Sequence, residues 1–313
     1  MNFLRQLKLK HLLILILLIA MIVFGSSCTQ QQKQEAEKID EPTIKVVTEN
    51  GDTKQLNMEE YVAGVVAGEM KADWPQKAYG AQAIIARTFA LKLLKDKGTN
   101  KISGEHEKAQ AYRSQNITDK IKKAVDETRG EVVTYQQEYI KGWFHSSAGG
   151  QTTSAKVGLA YDKPEPGYIT SVKSPDQHAP DDVKSWAVTF PQNAILNVLK
   201  EVKGAKASKV KNITIADKDK TGRAIDLTID YENGSKNIKA ANFRNSIGPD
   251  KLKSTMIENV KKSGNKFVFE GSGYGHGVGM SQWGAYALAK EGKSSEEIIK
   301  HYFKDIEIIK KWN

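Results

Sequence analysis

Between Asn57 and Met70 the chain reads Asn-Met-Glu-Glu-Tyr-Val-Ala-Gly-Val-Val-Ala-Gly-Glu-Met. Met58, Val62, Val65, Val66 and Met70 recur at helical spacing, which predicts a helix with one apolar stripe. Asn57 as N-cap, with Glu60 three residues on, marks its start. Gly68 and Pro75 bracket its end. A second helix, rich in Ala and Leu, is expected from Pro75 to about Lys97, stopped by Gly98. Further helices are expected at 119–128, closed by Gly130, at 193–202, at 280–291 and at 294–303, where Ser294 and Glu297 form a capping box.

Strand-like runs occupy 43–47, with a turn signal at Asn50-Gly51, and 131–135 paired with 139–145. Others lie at 210–215, 224–231 and 266–270, with 238–243 a candidate third strand of a hairpin-containing subregion. Residues 101–115 are polar and loop-like. Residues 161–191 hold five of the eight prolines, Pro164, Pro166, Pro175, Pro180 and Pro191, so no regular structure is assigned there. Strands and helices intersperse without regular βαβ alternation, and no internal repeat is present. The expected class is α+β with a mixed or largely antiparallel sheet. One main region is expected over 43–308, with a smaller β-rich subdomain near 193–265.

The N-terminus is of a different kind. Arg5, Lys8 and Lys10 precede an unbroken apolar run from Leu12 to Phe24. That pattern is an export or anchoring signal with its basic end cytoplasmic. Residues 1–28 therefore read as a signal anchor, or as a lipoprotein-like signal ending in Ser26-Ser27-Cys28. Residues 29–42 read as a polar tether. The body is expected outside the cytoplasm, bitopic or lipid-anchored at the cell membrane.

Of 313 residues, 39% are hydrophobic and 27% charged, as in a globular protein. Net charge is +10, from 47 Lys+Arg against 37 Asp+Glu, spread without a long basic run. No nucleic-acid partner is expected; the charge suits an anionic wall or lipid surface, or simply a soluble lysine-rich one. Cys28 is the only cysteine, so the body has no internal disulfide and no thiolate ligand. The six histidines, His11, His106, His145, His178, His276 and His301, show no HExxH or other short ligand spacing. No GxSxG elbow is present. No metal and no cofactor is expected.

Glu69 falls within the apolar stripe, four residues after Val65 and three after Val66. A carboxylate there is costly to ionise unless paired. Desolvation would raise its pKa towards that of a general acid. Periodicity also accommodates a Glu at the helix rim that reaches solvent or an Arg. Arg87 has only Ala83, Ile84, Ala90 and Leu91 at helical spacing, so it requires a tertiary partner or a route to water. Glu69, another acid and a ligand are the candidate partners. The stretch Gly271-Ser-Gly-Tyr-Gly-His-Gly-Val-Gly-Met-Ser-Gln-Trp-Gly284 lacks the Lys of a phosphate loop and the glycine spacing of a dinucleotide fold. It displays Tyr274, His276, Gln282 and Trp283 on a backbone that permits close approach, which favours a sugar-binding surface over a simple turn. His145 ends a strand before another Ser/Gly loop, where a structural donor and a catalyst are both consistent.

Five ordered segments together resemble the stage II sporulation protein D (SpoIID/LytB domain) family. They are Tyr61-Val-Ala-Gly-Val-Val-Ala-Gly-Glu-Met70, Ala81-Gln-Ala-Ile-Ile-Ala-Arg-Thr-Phe-Ala90, Phe144-His-Ser-Ser-Ala-Gly-Gly-Gln-Thr152, Phe243-Arg-Asn-Ser-Ile-Gly248 and Gly271 to Ala285. The resemblance implies a peptidoglycan lytic transglycosylase, with Glu69 as its acid, that leaves 1,6-anhydro-muramoyl ends. Gln82, Arg87, His145, Tyr274, His276 and Gln282 match motif positions and are the implied cleft residues. Some relatives hold zinc through a histidine and cysteines near the Phe-His segment. Here Ser146, Ser147 and Ala148 follow His145, so no zinc is expected. The resemblance also implies work on glycan strands during engulfment in sporulation, beside an amidase and a multispanning membrane scaffold. Its rival is a non-catalytic wall-binding activator of an amidase. A conventional muramidase would need a second carboxylate, which the sequence does not single out.

Overall fold

A computed structural model describes residues 39–48, 50–105 and 109–313, which belong to one compact unit. The expected signal at 1–28 with Cys28, most of the 29–42 tether, and His106 lie outside the described residues. Among the described residues no helix is long and apolar enough to cross a membrane.

Strands β1 (Thr43–Val47) and β2 (Thr53–Asn57) form an antiparallel hairpin that leads directly into helix α1 (Met58–Glu69). The Glu60 carboxylate accepts the Asn57 N–H at 2.9 Å, so the start of α1 lies where the capping signal put it. Helix α2 (Gln76–Lys97) ends on Gly98, whose φ of 59° is left-handed. Strand β3 (Lys101–Ser103) pairs in parallel with β1, within a stretch expected to be loop. Helix α3 (Asp119–Glu127) precedes β4 (Glu131–Tyr135), β5 (Glu138–Tyr139) and β6 (Phe144–His145).

The expected pairing of 131–135 with 139–145 holds only for β5. Gln136 and Gln137, at φ 51° and 65°, make a two-residue reversal, and Gly142 at φ 52° then turns the chain away. Strand β6 pairs in parallel with β13 (Met280–Ser281), and β4 takes β14 (Glu307–Lys310) as its longer partner.

The segment 161–191, unassigned from sequence, contains strand β7 (Trp186–Pro191). Helix α4 (Gln192–Lys203) follows, then the meander β8 (Val210–Lys218), β9 (Ala224–Tyr231) and β10 (Gly234–Lys239). The expected strand at 238–243 stops at Lys239, because helix α5 (Ala240–Ile247) begins there and buries Phe243. Strands β11 (Ile257–Ser263) and β12 (Lys266–Gly271) complete a sheet ordered β11-β12-β7. Helices α6 (Gln282–Lys290) and α7 (Ser295–Tyr302) finish the fold, and Ser294 and Glu297 make the expected capping box on α7.

The class is thus α+β, but the described strands divide among several small sheets instead of sharing one. Most pairs are antiparallel; β1 with β3 and β6 with β13 are parallel. Two apolar cores lie under the helices α1 and α2. One gathers Met58, Val62, Val66, Trp74, Trp283 and Trp312, and the other gathers Ile84, Ile85, Met280 and Tyr302. A third core, containing Phe190, Leu199, Leu227, Phe243 and Phe269, joins β7, α4, α5 and the β8–β12 strands.

Candidate active site

Helix α1 is buried almost all round, not along one stripe: Tyr61 to Ala67 are all buried, Glu60 in the first turn is exposed, and the last turn becomes half-exposed at Gly68 and Glu69. The consequence is a division of labour between two carboxylates, with Glu69 at the rim of the helix and not in its core-facing stripe. Glu59, at the start of the helix, is the buried one, 6% exposed. Glu69, at its end, is half-buried and opens onto a cavity of about 800 Å³. The segment from Ala109 to Arg113 lies close against α1 because Gly64 and Gly68 leave room for it. A Cβ on Gly68 would sit 2.5 Å from the Ala111 carbonyl oxygen. The close approach lets the Ala111 N–H donate to Glu69 Oε1 at 2.7 Å.

The same cavity is lined by His145, Tyr274, His276 and Gln282, which the sequence had singled out. It is also lined by Trp143, Phe144, Arg244, Asn245 and Asp250, which it had not. His145 ends β6, and its Nδ1 donates to the Val278 carbonyl at 3.2 Å. His276 Nδ1 accepts the Val278 N–H at 3.0 Å, so one backbone residue sets both imidazoles. The two rings lie 5.3 Å apart. Glycine is required on either side of His276. Gly275 (φ 109°) would place a Cβ 2.7 Å from His145 Cβ, and Gly277 (φ 77°) would place one 2.3 Å from the Arg223 guanidinium carbon.

Two residues implied as cleft residues sit elsewhere. Gln82 is fully buried behind Gln282, whose Nε2 lies 3.4 Å from Gln82 Oε1. Arg87 does not reach the cavity: its Nε and Nη2 donate to Glu59 at 3.0 and 2.5 Å, and its Nη1 donates to the Glu131 carbonyl. Its partner is another acid, not Glu69. Glu59 also accepts the Gly130 N–H at 3.0 Å and the Trp312 indole N–H at 2.8 Å, so one interior carboxylate collects donors from three segments.

Asp176, from the proline-rich segment, ties together the loops that line the cavity. Its buried carboxylate accepts from Ser147 at 3.0 Å, Ser174 at 2.7 Å and Ser281 at 2.8 Å. Ser281 in turn caps α6 by accepting the Gly284 N–H. The sequence does not flag Asp176, because two of its three partners, Ser147 and Ser281, come from distant segments.

Positive charge gathers beneath these loops. Arg244, 8% exposed, is held by the carbonyls of Leu252 and Pro249, at 2.9 and 2.7 Å. Burial lowers the pKa of both Arg244 and Arg223 to about 10, leaving them charged at neutral pH. Burial, then Arg244 and Arg223, pulls His276 down from 6.5 to about 3. Burial, then His276 and Arg223, holds His145 well below the usual range. Both imidazoles are therefore neutral at physiological pH and serve as hydrogen-bonding groups. Burial, then Asp250, raises the pKa of Tyr274, whose hydroxyl donates to Asp250 at 3.3 Å.

An expected pH dependence follows. The unfolded chain protonates this histidine near pH 6.5 and the folded chain only near pH 3. The stabilisation is complete above pH 6.5 and is lost as pH falls towards about 3. Melting temperature should therefore drop on acidification, and less steeply in His276→Gln, whose amide oxygen can still accept the Val278 N–H. Equal slopes in the two proteins would exclude His276 as a cause.

Among the described residues no group of three or more His, Cys, Asp or Glu side chains is placed to hold a metal ion.

Residues 48–135, which carry Glu69, match the family model described as stage II sporulation protein. Stage II sporulation protein D of Bacillus amyloliquefaciens is 30% identical over 286 residues, covering 83% of this chain and 76% of that protein. The chain belongs to the stage II sporulation protein D family. An uncharacterized protein of Brachyspira hyodysenteriae is 33% identical over 259 residues, covering 82% of this chain and 67% of its own length. The amidase enhancer of Bacillus subtilis is 28% identical over 287 residues, covering 77% of this chain and 39% of that protein. Residues 163–279, which supply Asp176, Arg223 and Arg244, match a model described as a domain of unknown function. The family's own model thus covers the acid and the Glu59–Arg87 pair, while most of the cavity wall comes from later residues.

Proposed function

We propose that this sporulation-family protein is a peptidoglycan lytic transglycosylase acting through Glu69. One observation carries the reading: a half-buried carboxylate with a fixed N–H on one oxygen opens onto the cavity that also holds His145, Tyr274, His276 and Gln282. Glu69 protonates the glycosidic oxygen as the bond to C1 breaks. The resulting carboxylate then takes the proton from the muramoyl C6 hydroxyl as that oxygen attacks C1. A 1,6-anhydro end forms, no water is consumed, and the acid is regenerated. The neutral imidazoles and the amide of Gln282 suit sugar hydroxyls, and the Arg244 charge suits the muramoyl carboxylate. On this reading the protein works at the cell membrane during engulfment, tethered by its N-terminal segment, beside an amidase and a multispanning scaffold.

Two observations support rivals. Asp250 is a second carboxylate on the same cavity, which a hydrolase would need to activate water. The similarity to an amidase enhancer favours a non-catalytic activator. Mass spectrometry of peptide-stripped glycan strands treated with the full-length chain separates the three. Anhydro-muramoyl ends are expected. Ends that have gained water would replace the lyase with a hydrolase. Intact strands together with faster amidase turnover would replace it with the activator.

A further inference from the structure

The cavity has an aromatic side that the mechanism above does not use. Four of the five tryptophans are buried: Trp74, Trp186, Trp283 and Trp312 are at most 9% exposed. Trp143 differs, being half-buried and lining the cavity. An indole left partly in water forfeits burial energy that its four counterparts collect.

Its surroundings hold it still. Gly142 turns the chain into Trp143, and the Trp143 carbonyl accepts the Met280 N–H at 3.1 Å. The Tyr161 ring meets the indole edge-on, with centroids 5.4 Å apart at 78°. The Lys141 ammonium stands 5.8 Å from the indole centroid and 5.9 Å from that of Tyr161. Phe89 of α2 and Leu159, both half-buried, line the cavity with it, and Phe89 belongs to none of the three cores. Arg244, Asn245, Asp250 and Tyr274 line the same cavity with polar groups. A pyranose ring has this duality, with apolar C–H faces and a rim of hydroxyls. A fixed aromatic face is the protein group that matches the first, and hydrogen-bonding side chains match the second.

We propose that Trp143, flanked by Phe89 and Leu159, is a sugar-stacking subsite that sets the register of a glycan strand against Glu69. The proposal rests on the glycan-cleaving reading and adds to it the residue that seats one sugar ring.

The test uses the full-length Glu69→Gln chain, which binds without cleaving, and a peptide-stripped tetrasaccharide of alternating N-acetylglucosamine and N-acetylmuramic acid. Because the other tryptophans are buried, acrylamide quenching reports chiefly on Trp143, and the tetrasaccharide should shield it. By calorimetry, Trp143→Ala should weaken binding about tenfold, and Trp143→Phe, which keeps a ring, less than about threefold. In the active chain Trp143→Ala should raise KM about tenfold and leave kcat within about twofold. Equal affinity in Trp143→Ala would overturn the subsite while leaving the glycan reading intact. A tetrasaccharide that binds without shielding tryptophan emission would overturn it too, and needs no variant that must fold. A Glu69→Gln chain that binds no tetrasaccharide would remove both.

Discussion

Glu69→Gln is expected to slow cleavage of peptide-stripped glycan by about 10²- to 10⁴-fold, the usual contribution of a positioned general acid. The substitution removes the transferable proton and little else. The amide oxygen of Gln can still accept the Ala111 N–H that fixes Glu69 Oε1. Melting temperature should stay within a few degrees, and affinity for glycan should persist. Asp250→Asn provides the contrast. If Glu69 alone carries both proton transfers, that variant still forms anhydro-muramoyl ends. Turnover by Glu69→Gln at the parent's rate would remove Glu69 from the chemistry.

Glu59→Gln is expected to have the larger effect on stability. The Glu59 carboxylate accepts from Arg87 twice, from the Gly130 N–H and from the Trp312 indole. Arg87 is fully buried. Neutralising its partner leaves an uncompensated guanidinium in the interior and points an amide N–H₂ at groups that are themselves donors. Breaking such a pair costs about 3–5 kcal/mol. For a protein of this size that lowers the melting temperature by roughly 6–20 °C. Arg87→Ala should fall in the same range, with strong coupling between the two sites in a double-mutant cycle. Well below its melting point Arg87→Ala should keep a near-normal kcat and KM, since Arg87 lies outside the cavity. A Glu59→Gln protein as stable as the parent would show that the network contributes no stability.

These two carboxylates also show what the sequence could reveal. Helical periodicity located α1, and the Asn57 and Glu60 pair located its start. Periodicity could not rank Glu59 against Glu69, because a helix buried on nearly every side has no single stripe to read. The apolar helical neighbours of Arg87 point to a tertiary partner or a route to water, but which of these holds depends on packing across 28 residues. Likewise β3 was missed because three residues paired to a distant strand carry no pattern of their own. The reversal after β4 falls where the expected strand pairing required one, although Gln136 and Gln137 lack the usual Asn-Gly signal. Arg244 stood inside a quoted motif without being singled out, and Asp250, Trp143 and Asp176 acquire meaning only when distant loops converge on them. Tyr274, His276 and Gln282 were legible because the glycines beside them leave few other uses for such side chains.

The Trp312 indole on Glu59 has a further consequence, for the timing of folding. Arg87 follows Glu59 by 28 residues, but the indole that completes the site follows it by 253. During synthesis the carboxylate and guanidinium emerge close together, while their shared pocket stays open until Trp312 has been made. Contacts of such sequence separation form slowly, because the intervening chain must first be gathered in. The Glu59 site is therefore completed late even though its first two members are made early.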